Sequence, residues 1–290
     1  MRAVPELVRD PGTWQRRCSA ARESGRRIAL VPTMGYLHEG HVSLLREARR
    51  RADAGSKPGL ALATIFVNPT QFGPGEDLAR YPRDLGSDLE KCAAAGVDAV
   101  LAPEDAARVY AREHETWVQV ERVSLGLCGG KRPGHFRGVA TVVAKLLNLS
   151  HPHVAFFGEK DFQQLCVVRA MVRDLDFDVE IVGMPIVRDG DGLALSSRNA
   201  YLSPDERRRS LSLSRALYDA QARSAGGERD ATALLAAATE ILQAAEARID
   251  YVEIVDPTSL APVSRAEPGS RMLVAAYVGA TRLIDNIMLP

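Results

Sequence analysis

Short apolar runs alternate with amphipathic stretches along the first two-thirds of the chain. Residues 27–31 and 60–67 are almost continuously apolar, which predicts two buried strands, the first of them ending at Pro32. Between these runs, residues 41–52 carry apolar side chains at helical spacing and arginines on the opposite face. This pattern predicts an amphipathic helix that connects the two strands.

The same alternation continues to about residue 183. It predicts further helices at 85–95, 139–149 and 162–172 and further strands at 99–101, 154–157 and 179–183. Strands that alternate with helices of this length are typical of βαβ units and a parallel sheet.

Near Pro185 the pattern changes to that of a smaller α+β unit. It predicts helices at 204–223 and 229–247, followed by strands at 251–255 and 272–278. The segment 189–192 reads Asp-Gly-Asp-Gly, and its glycines predict a mobile connection. We therefore predict two domains, comprising residues 1–185 and 186–290.

The composition of the chain argues against nucleic-acid and membrane partners. The chain has 290 residues, of which 46% are hydrophobic, and its 37 basic and 37 acidic residues cancel, so a nucleic-acid partner is not expected. The four cysteines are far apart without a C-x-x-C pair, and the first ten residues lack the apolar region of a signal peptide. No apolar run approaches the ~20 residues that span a bilayer. These features predict a soluble cytoplasmic protein with no membrane partner.

The segment from Pro32 to His41 carries the clearest chemistry. It joins the first predicted strand to the first helix, at the strand edge where ligands of open α/β sheets bind. His38 and His41, three positions apart at a helix start, can both face an anion that the helix N–H groups and dipole also attract, and Gly40 permits close approach. A zinc pair or two surface histidines are the alternatives. The H-x-G-H form in this setting resembles the nucleotide signature of class I synthetases and nucleotidylyltransferases.

Three further clusters follow predicted strand ends or the glycine-rich segment. Asn68 and Gln71 offer neutral polar groups suited to a hydroxy acid, or are ordinary loop residues. Lys160 suits a phosphate and the adjacent Asp161 a metal ion, unless they form a capped helix start with a solvated lysine. The sequence Leu195-Ser196-Ser197-Arg198 suits a mobile loop over a triphosphate.

In this order and at these separations, the four clusters resemble the pantothenate synthetase (pantoate–β-alanine ligase) family. The resemblance runs from Val31 to about Leu202 and resumes at Gly279-Ala280-Thr281-Arg282-Leu283-Ile284-Asp285-Asn286. It implies a Rossmann-type parallel-sheet domain, a smaller α+β C-terminal lid domain and a homodimer.

The resemblance also implies roles for particular residues. Charge stabilisation during catalysis is expected from His41, His38, Lys160 and Arg198. The expected ATP-binding residues are Met34, Gly35, Tyr36, Leu37, His38, Glu39, Gly40, His41, Gly158, Glu159, Lys160, Asp161, Val187, Leu195, Ser196, Ser197 and Arg198. Pantoate is expected at Gln71, Gln164 and Asn68, β-alanine near Gln71, and Mg²⁺ at Asp161 with the phosphates.

The implied reaction has two steps. The pantoate carboxylate attacks the α-phosphorus of ATP to form an acyl adenylate and pyrophosphate, and the β-alanine amine then displaces AMP. Tyr36 departs from the family pattern, where a small residue is usual. Ser87 stands where many members have an acid, which puts a metal role there in doubt.

Two other functions fit parts of the sequence. H-x-G-H alone is compatible with a nucleotidylyltransferase that acts on a phosphorylated acceptor, although Asn68, Gln71 and Gln164 suit a hydroxy acid better than a second phosphate. The other is a non-catalytic module that senses ATP. Measuring whether ATP is turned over to AMP only when pantoate and β-alanine are both supplied distinguishes the ligase, the nucleotidylyltransferase and the sensor.

Overall fold

The computed structural model describes residues 4–290 and divides into two compact units. The first unit consists of the described part of Met1–Glu121, with Arg132–Glu159 and Val167–Pro185. The second consists of Arg122–Lys131, Lys160–Cys166 and Ile186–Pro290. The single boundary between residues 185 and 186 stays a prediction, and the first three residues of the predicted N-terminal domain lie outside the described residues.

A six-stranded parallel sheet forms the centre of the first unit. Its strands are β1 (Glu6–Val8), β2 (Ile28–Thr33), β3 (Leu60–Ile65), β4 (Ala99–Leu101), β5 (Val154–Gly158) and β6 (Glu180–Met184). They lie in the order β1-β4-β3-β2-β5-β6, and every pair is parallel. The direction of winding reverses between β2 and β5, which is the kind of switch point where such sheets bind ligands. The predicted Rossmann-type fold is confirmed.

The helices alternate with these strands. They are α1 (Pro11–Glu23), α2 (Glu39–Ala52), α3 (Leu85–Ala95), α4 (Leu127–Lys131), α5 (His135–Ser150) and α6 (Phe162–Asp174). The sequence pattern missed α1, since its buried residues are only Trp14, Cys18 and Ala21. Its start was marked by Asp10, whose side chain accepts the N–H of Thr13 at 2.7 Å.

Strand β2 continues through Pro32, so the prediction that it ends there was wrong. Proline is tolerated in a strand where its missing N–H has no pairing to make. Strand β5 pairs with β2 only at Ala29 and Leu30, and Pro32 lies beyond that ladder. The strand therefore reaches Thr33 and delivers the following loop to the edge of the sheet.

The largest part of the second unit, Ile186–Pro290, contains a smaller antiparallel sheet and two long helices. Strands β7 (Arg248–Val255), β8 (Arg271–Val278) and β9 (Thr281–Met288) are adjacent in that order, and the helices are α7 (Pro204–Ala225) and α8 (Ala231–Ala244). The predicted stripe of α8 is confirmed at Leu234, Ala238 and Leu242, which are fully buried. Strand β9 was not predicted, because polar residues interrupt its apolar pattern.

The structure also shows the state of the cysteines and the character of the helices. All four cysteines are buried, and none of them forms a disulfide. Within residues 4–290, no helix has the length and apolar character needed to cross a membrane.

Candidate nucleotide and substrate site

The histidine loop, residues 34–41, leaves β2 and enters α2 through an unusual turn. Gly35 and Tyr36 both have left-handed backbones, with φ of 82° and 51°. Glycine adopts this conformation freely, whereas in a tyrosine it costs roughly 1–2 kcal/mol. An added Cβ on Gly35 would lie 2.9 Å from both Asp88 and Ile65. Position 35 therefore requires glycine, and contacts must stabilise the turn at Tyr36.

Asp88 supplies those contacts. Its two carboxylate oxygens accept the backbone N–H groups of Tyr36 and Leu37 at 2.9 and 2.6 Å, and the residue is 1% exposed. Burial raises the pKa of the Asp88 carboxyl above its ordinary value, although those two N–H groups and Lys91 act to lower it. The sequence analysis missed this residue. The sequence contains one indication of it: by helical spacing, the acidic Asp88 lies on the same face of α3 as Cys92 and Ala95, and that face is buried.

His38 and His41 lie side by side at the start of α2. Their ring centroids are 4.1 Å apart, and the backbone N–H of His38 points at Nδ1 of His41 over 3.4 Å. A neutral imidazole that accepts at Nδ1 carries its proton on Nε2. His41 can therefore present an N–H donor to an oxyanion, beside the backbone N–H groups that a helix start directs toward an anion.

The eight residues of the histidine loop differ in exposure. Gly35 and Leu37 are buried and Glu39 is exposed, whereas the partly exposed members are Met34, Tyr36, His38, Gly40 and His41. The loop thus combines a buried support with an accessible polar surface.

Gln71 brings the predicted acid-binding loop against the histidine loop. It is 8% exposed, and its Nε2 donates to Sδ of Met34 at 3.2 Å, while its Oε1 accepts from Nδ2 of Asn68 at 3.1 Å. Sulfur is a weak acceptor, so a bound oxyanion or hydroxyl can replace it at little cost.

Asn68 is occupied by protein groups. The residue is 1% exposed; its amide also donates to the carbonyl of Gly138, and its oxygen accepts from the Tyr110 hydroxyl at 2.8 Å and from Thr70. Burial raises the pKa of the Tyr110 phenol, which remains a donor at neutral pH. In this geometry Asn68 orients Gln71, and its contact with pantoate stays a prediction.

A second set of groups holds the backbone of Gln71. Nδ1 of His135 lies 2.8 Å from the Gln71 carbonyl oxygen and Arg132 Nη2 lies 3.4 Å from it, so both donate to it. Arg132 also makes a two-pronged ion pair with Glu76, at 2.8 and 2.5 Å. Burial acts to raise the Glu76 pKa, but Arg132, His135 and the Gly73 backbone together outweigh it and hold that pKa below its ordinary value. His135 is thus placed to orient the predicted acid-binding loop.

Gly158 and Glu159 complete the predicted residues of the first unit. Gly158 ends β5, the immediate neighbour of β2 in the sheet, and a Cβ added to it would meet no atom within 4 Å. The edge of the sheet is therefore open at this position, as phosphate binding requires.

In the second unit, Lys160 and Asp161 lie in the short turn Glu159–Asp161 that precedes α6. Lys160 is partly buried, and its ammonium makes no ion pair or hydrogen bond within residues 4–290; Asp161 is exposed. Of the two adjacent glutamines, Gln163 is 4% exposed and its Nε2 donates to the carbonyls of Val123, Leu125 and Gly126. Gln164 is partly exposed, and no other described residue hydrogen-bonds to its side chain, so it is available for a ligand.

The remaining predicted residues belong to a small hairpin, residues 187–195, and the turn after it. Leu195 donates its backbone N–H to the carbonyl of Val187 at 3.0 Å. The tip, which was predicted to be mobile, carries Asp189 and Asp191, and both pair with Arg207. Mobility stays a prediction. The turn that follows holds Ser196 as its cap, Ser197 buried and Arg198 partly buried.

The donor groups suit magnesium only with help from phosphates. Residues 4–290 contain no cluster of three or more His, Cys, Asp or Glu side chains that could hold a metal ion. Mg²⁺ is commonly bound by one or two carboxylates together with substrate phosphates and water. The exposed Asp161 fits that mode. Ser87 does not, because its hydroxyl accepts from Lys91 at 2.7 Å.

Relatives with known names match over nearly the whole chain. The family model for pantoate-beta-alanine ligase matches residues 6–288. A pantothenate synthetase from Anaeromyxobacter dehalogenans (strain 2CP-C) is 72% identical over 287 residues, covering 99% of each chain. Another from Myxococcus xanthus (strain DK1622) is 55% identical over 289 residues, covering 99% of this chain and 96% of the relative.

Solved structures give the same result. Pantothenate synthetase from Thermus thermophilus matches with a TM-score of 0.90 at 46% identity, covering 98% of this chain and 100% of that one. The ligase from Francisella tularensis, complexed with β-γ ATP and β-alanine, matches with a TM-score of 0.80 at 28% identity, covering 98% and 97%. By sequence and by fold alike, the chain belongs to the pantoate–β-alanine ligase family.

Proposed function

We propose that the protein joins pantoate to β-alanine, consumes ATP, and releases AMP and pyrophosphate. The observation that carries this proposal is the contact between Gln71 and Met34, 3.2 Å long. It brings the loop suited to a hydroxy acid against the loop suited to a nucleotide. A carboxylate held at Gln71 therefore lies beside a nucleotide held by the histidine loop, as attack on the α-phosphorus requires.

The protein groups act by positioning and by stabilising charge. Nε2 of His41 and the N–H groups at the start of α2 donate to phosphate oxygens, while Lys160 and Arg198 balance the charge that builds up as pyrophosphate leaves. Gln71 and Gln164 orient pantoate, and β-alanine binds near Gln71. Since the pantoate carboxylate is the nucleophile, no protein nucleophile is required.

Magnesium, assembly and location belong to the same proposal. Mg²⁺, held by the phosphates and Asp161, would neutralise phosphate charge. The smaller C-terminal domain, residues 186–290, is the lid that the family resemblance implies, and its role would be to protect the acyl adenylate from water. The protein is a cytoplasmic homodimer; its zero net charge sets up no overall repulsion between copies.

A product assay tests the function. ATP, pantoate and β-alanine are supplied together and singly, and AMP and pantothenate are measured. We expect AMP and pantothenate in equal amounts only when all three are present. A dinucleotide formed from a phosphorylated acceptor would instead identify a nucleotidylyltransferase, and ATP binding without any turnover would identify a sensor.

The two-step route has its own test. Because the adenylate forms before β-alanine reacts, labelled pyrophosphate should exchange into ATP with pantoate alone. Exchange that requires β-alanine would contradict the two-step scheme.

A further inference from the structure

The final strand, β9, carries two polar residues in the core of the second unit. Asp285 is 3% exposed and Asn286 is 2% exposed. A buried carboxylate or amide is costly unless it is hydrogen-bonded, so the partners of these two residues indicate why they are there. Both belong to the segment 279–286, which contributes no residue to the proposed chemistry.

Asn286 binds the turn that bears Lys160. Its Nδ2 donates to the backbone carbonyl of Lys160 at 3.0 Å, and its Oδ1 accepts from Nε of Arg271 at 2.7 Å. The Arg271 guanidinium in turn lies 4.2 Å from the ring centre of Phe162, the first residue of α6. The amide of Asn286 therefore fixes the lysine directly, and through Arg271 it supports the helix that follows.

Asp285 binds the hairpin that bears Val187 and Leu195. Its two oxygens accept from Nη1 and Nη2 of Arg188 at 2.6 and 2.9 Å. Arg188 Nη1 also donates to the carbonyl of Gly192 at 3.1 Å, so one guanidinium joins the carboxylate to the far side of the hairpin. Two-pronged pairs of this kind fix orientation as well as distance.

Strand geometry explains how two adjacent residues serve two separate segments. Successive side chains on a strand point to opposite faces. Asn286 and Asp285 reach partners 126 and 97 positions earlier in the chain, respectively. The partners belong to two segments of the second unit that carry expected ATP-binding residues: the turn of Lys160 and Asp161, and the hairpin of Val187 and Leu195.

We propose that Asp285 and Asn286 are positioning residues for the reaction: Asn286 places the Lys160 ammonium for the departing pyrophosphate, and Asp285 holds the 187–195 hairpin in its ATP-binding shape. Neither residue touches substrate. This inference rests on the proposed function, and in particular on the use of Lys160.

The decisive experiment is a double-mutant cycle on adenylate formation. Asn286→Asp keeps the acceptor for Arg271 and removes the donor to Lys160. Single-turnover release of pyrophosphate from ATP and pantoate is measured for the wild type, Asn286→Asp, Lys160→Ala and the double variant. Asn286→Asp should slow this step by roughly 10- to 100-fold, since a misplacement near 1 Å can cost about 100-fold. The double variant should be no more than about twofold slower than Lys160→Ala, because residues acting through one group are not additive.

Gln221→Ala is the matched control. Like Asn286, Gln221 donates a side-chain amide N–H to a backbone carbonyl. Its acceptor is Met288, the last residue of β9, at 3.0 Å. Its loss should leave adenylate formation unchanged. If Asn286→Asp does not fold by circular dichroism, Asn286→Ala takes its place in the cycle.

The outcomes separate this inference from the proposed function. A folded Asn286→Asp at the wild-type rate, or full additivity with Lys160→Ala, would overturn the role of Asn286, and so would a wild-type rate for Lys160→Ala. Failure of the wild type to form any adenylate would instead overturn the function.

Asp285→Asn tests the other half. It should weaken equilibrium binding of ATP by about tenfold through loss of a charge-assisted pair, with the pantoate KM unchanged. Unchanged ATP binding would contradict the role of Asp285.

Discussion

The two units support their predicted nucleotide-binding segments in different ways. In the first, the histidine loop is fixed by its place between β2 and α2 and by one buried carboxylate, Asp88, which binds two backbone N–H groups. In the second, the turn of Lys160 and the 187–195 hairpin depend on a strand near the end of the chain. Local chain geometry therefore determines much of the position of the histidine loop. Contacts distant in sequence determine the positions of the Lys160 turn and of the 187–195 hairpin.

The segments differ in their charged groups as well. The backbone of the histidine loop donates two hydrogen bonds to Asp88, and the donors that the loop offers are N–H groups of a helix start and an imidazole ring. Lys160 carries a full charge with no partner among residues 4–290, although the backbone beneath it is fixed by Asn286. A fixed backbone with an uncommitted cation suits a group whose partner, the leaving pyrophosphate, forms only during reaction.

The largest effect is expected from Lys160→Ala. If the lysine acts mainly in the transition state, kcat for adenylate formation should fall by roughly 100-fold or more, with a smaller change in ATP affinity. Lys160→Arg should rescue poorly, since a planar fork does not replace a compact charge. Single-turnover kinetics beside equilibrium ATP binding measures both. A folded Lys160→Ala with the wild-type rate would remove the functional contrast between the two units.

A smaller effect is expected from Asp88→Ala, which leaves the N–H groups of Tyr36 and Leu37 without their acceptor. Each such loss costs about 1–3 kcal/mol, so both thermal stability and ATP affinity should fall, the latter by roughly tenfold or more. Asp88→Asn retains one acceptor oxygen, so its thermal stability and ATP affinity should lie between those of the wild type and Asp88→Ala. Thermal melting and calorimetric ATP titration measure the effects. Ser87→Ala, one residue away, is the control and should change neither.

Gln71→Ala should lower kcat/KM for pantoate by about tenfold, the equivalent of about 1.4 kcal/mol, because a buried substrate group loses its hydrogen-bond partner. ATP binding should change little. Initial rates at saturating ATP provide the measurement. An unchanged pantoate KM would mean that the loop from Asn68 to Gln71 supports the fold and does not bind the acid.

The smallest effect concerns pH and the pair of Glu76 with Arg132. The pKa of Glu76 in the folded protein lies below its ordinary 4.5, so the pair stabilises the fold above about pH 4.5 and this contribution is lost as the pH falls below it. Glu76→Gln should therefore reduce stability by about 1 kcal/mol at neutral pH, and the difference from wild type should shrink on acidification. Melting curves from pH 7 to 3 test this. A constant difference would show that the Glu76 charge is not involved.

The sequence by itself determined the regular framework and the most local of the site's motifs. The alternating pattern located α3 and β4 at their observed bounds, and H-x-G-H identified the histidine loop because a strand end, a turn and a helix start are contiguous in the chain. Such features follow from periodicity and from backbone chemistry over a few residues.

Only the tertiary structure decided why certain polar residues are buried. Asp88, Asp285 and Asn286 interrupt apolar patterns, and by pattern alone the last two obscured β9. Their partners lie 51 to 126 positions away in sequence, so no local rule connects them. A buried polar group is stable only with a partner, and the fold alone determines which distant backbone group or guanidinium that partner is.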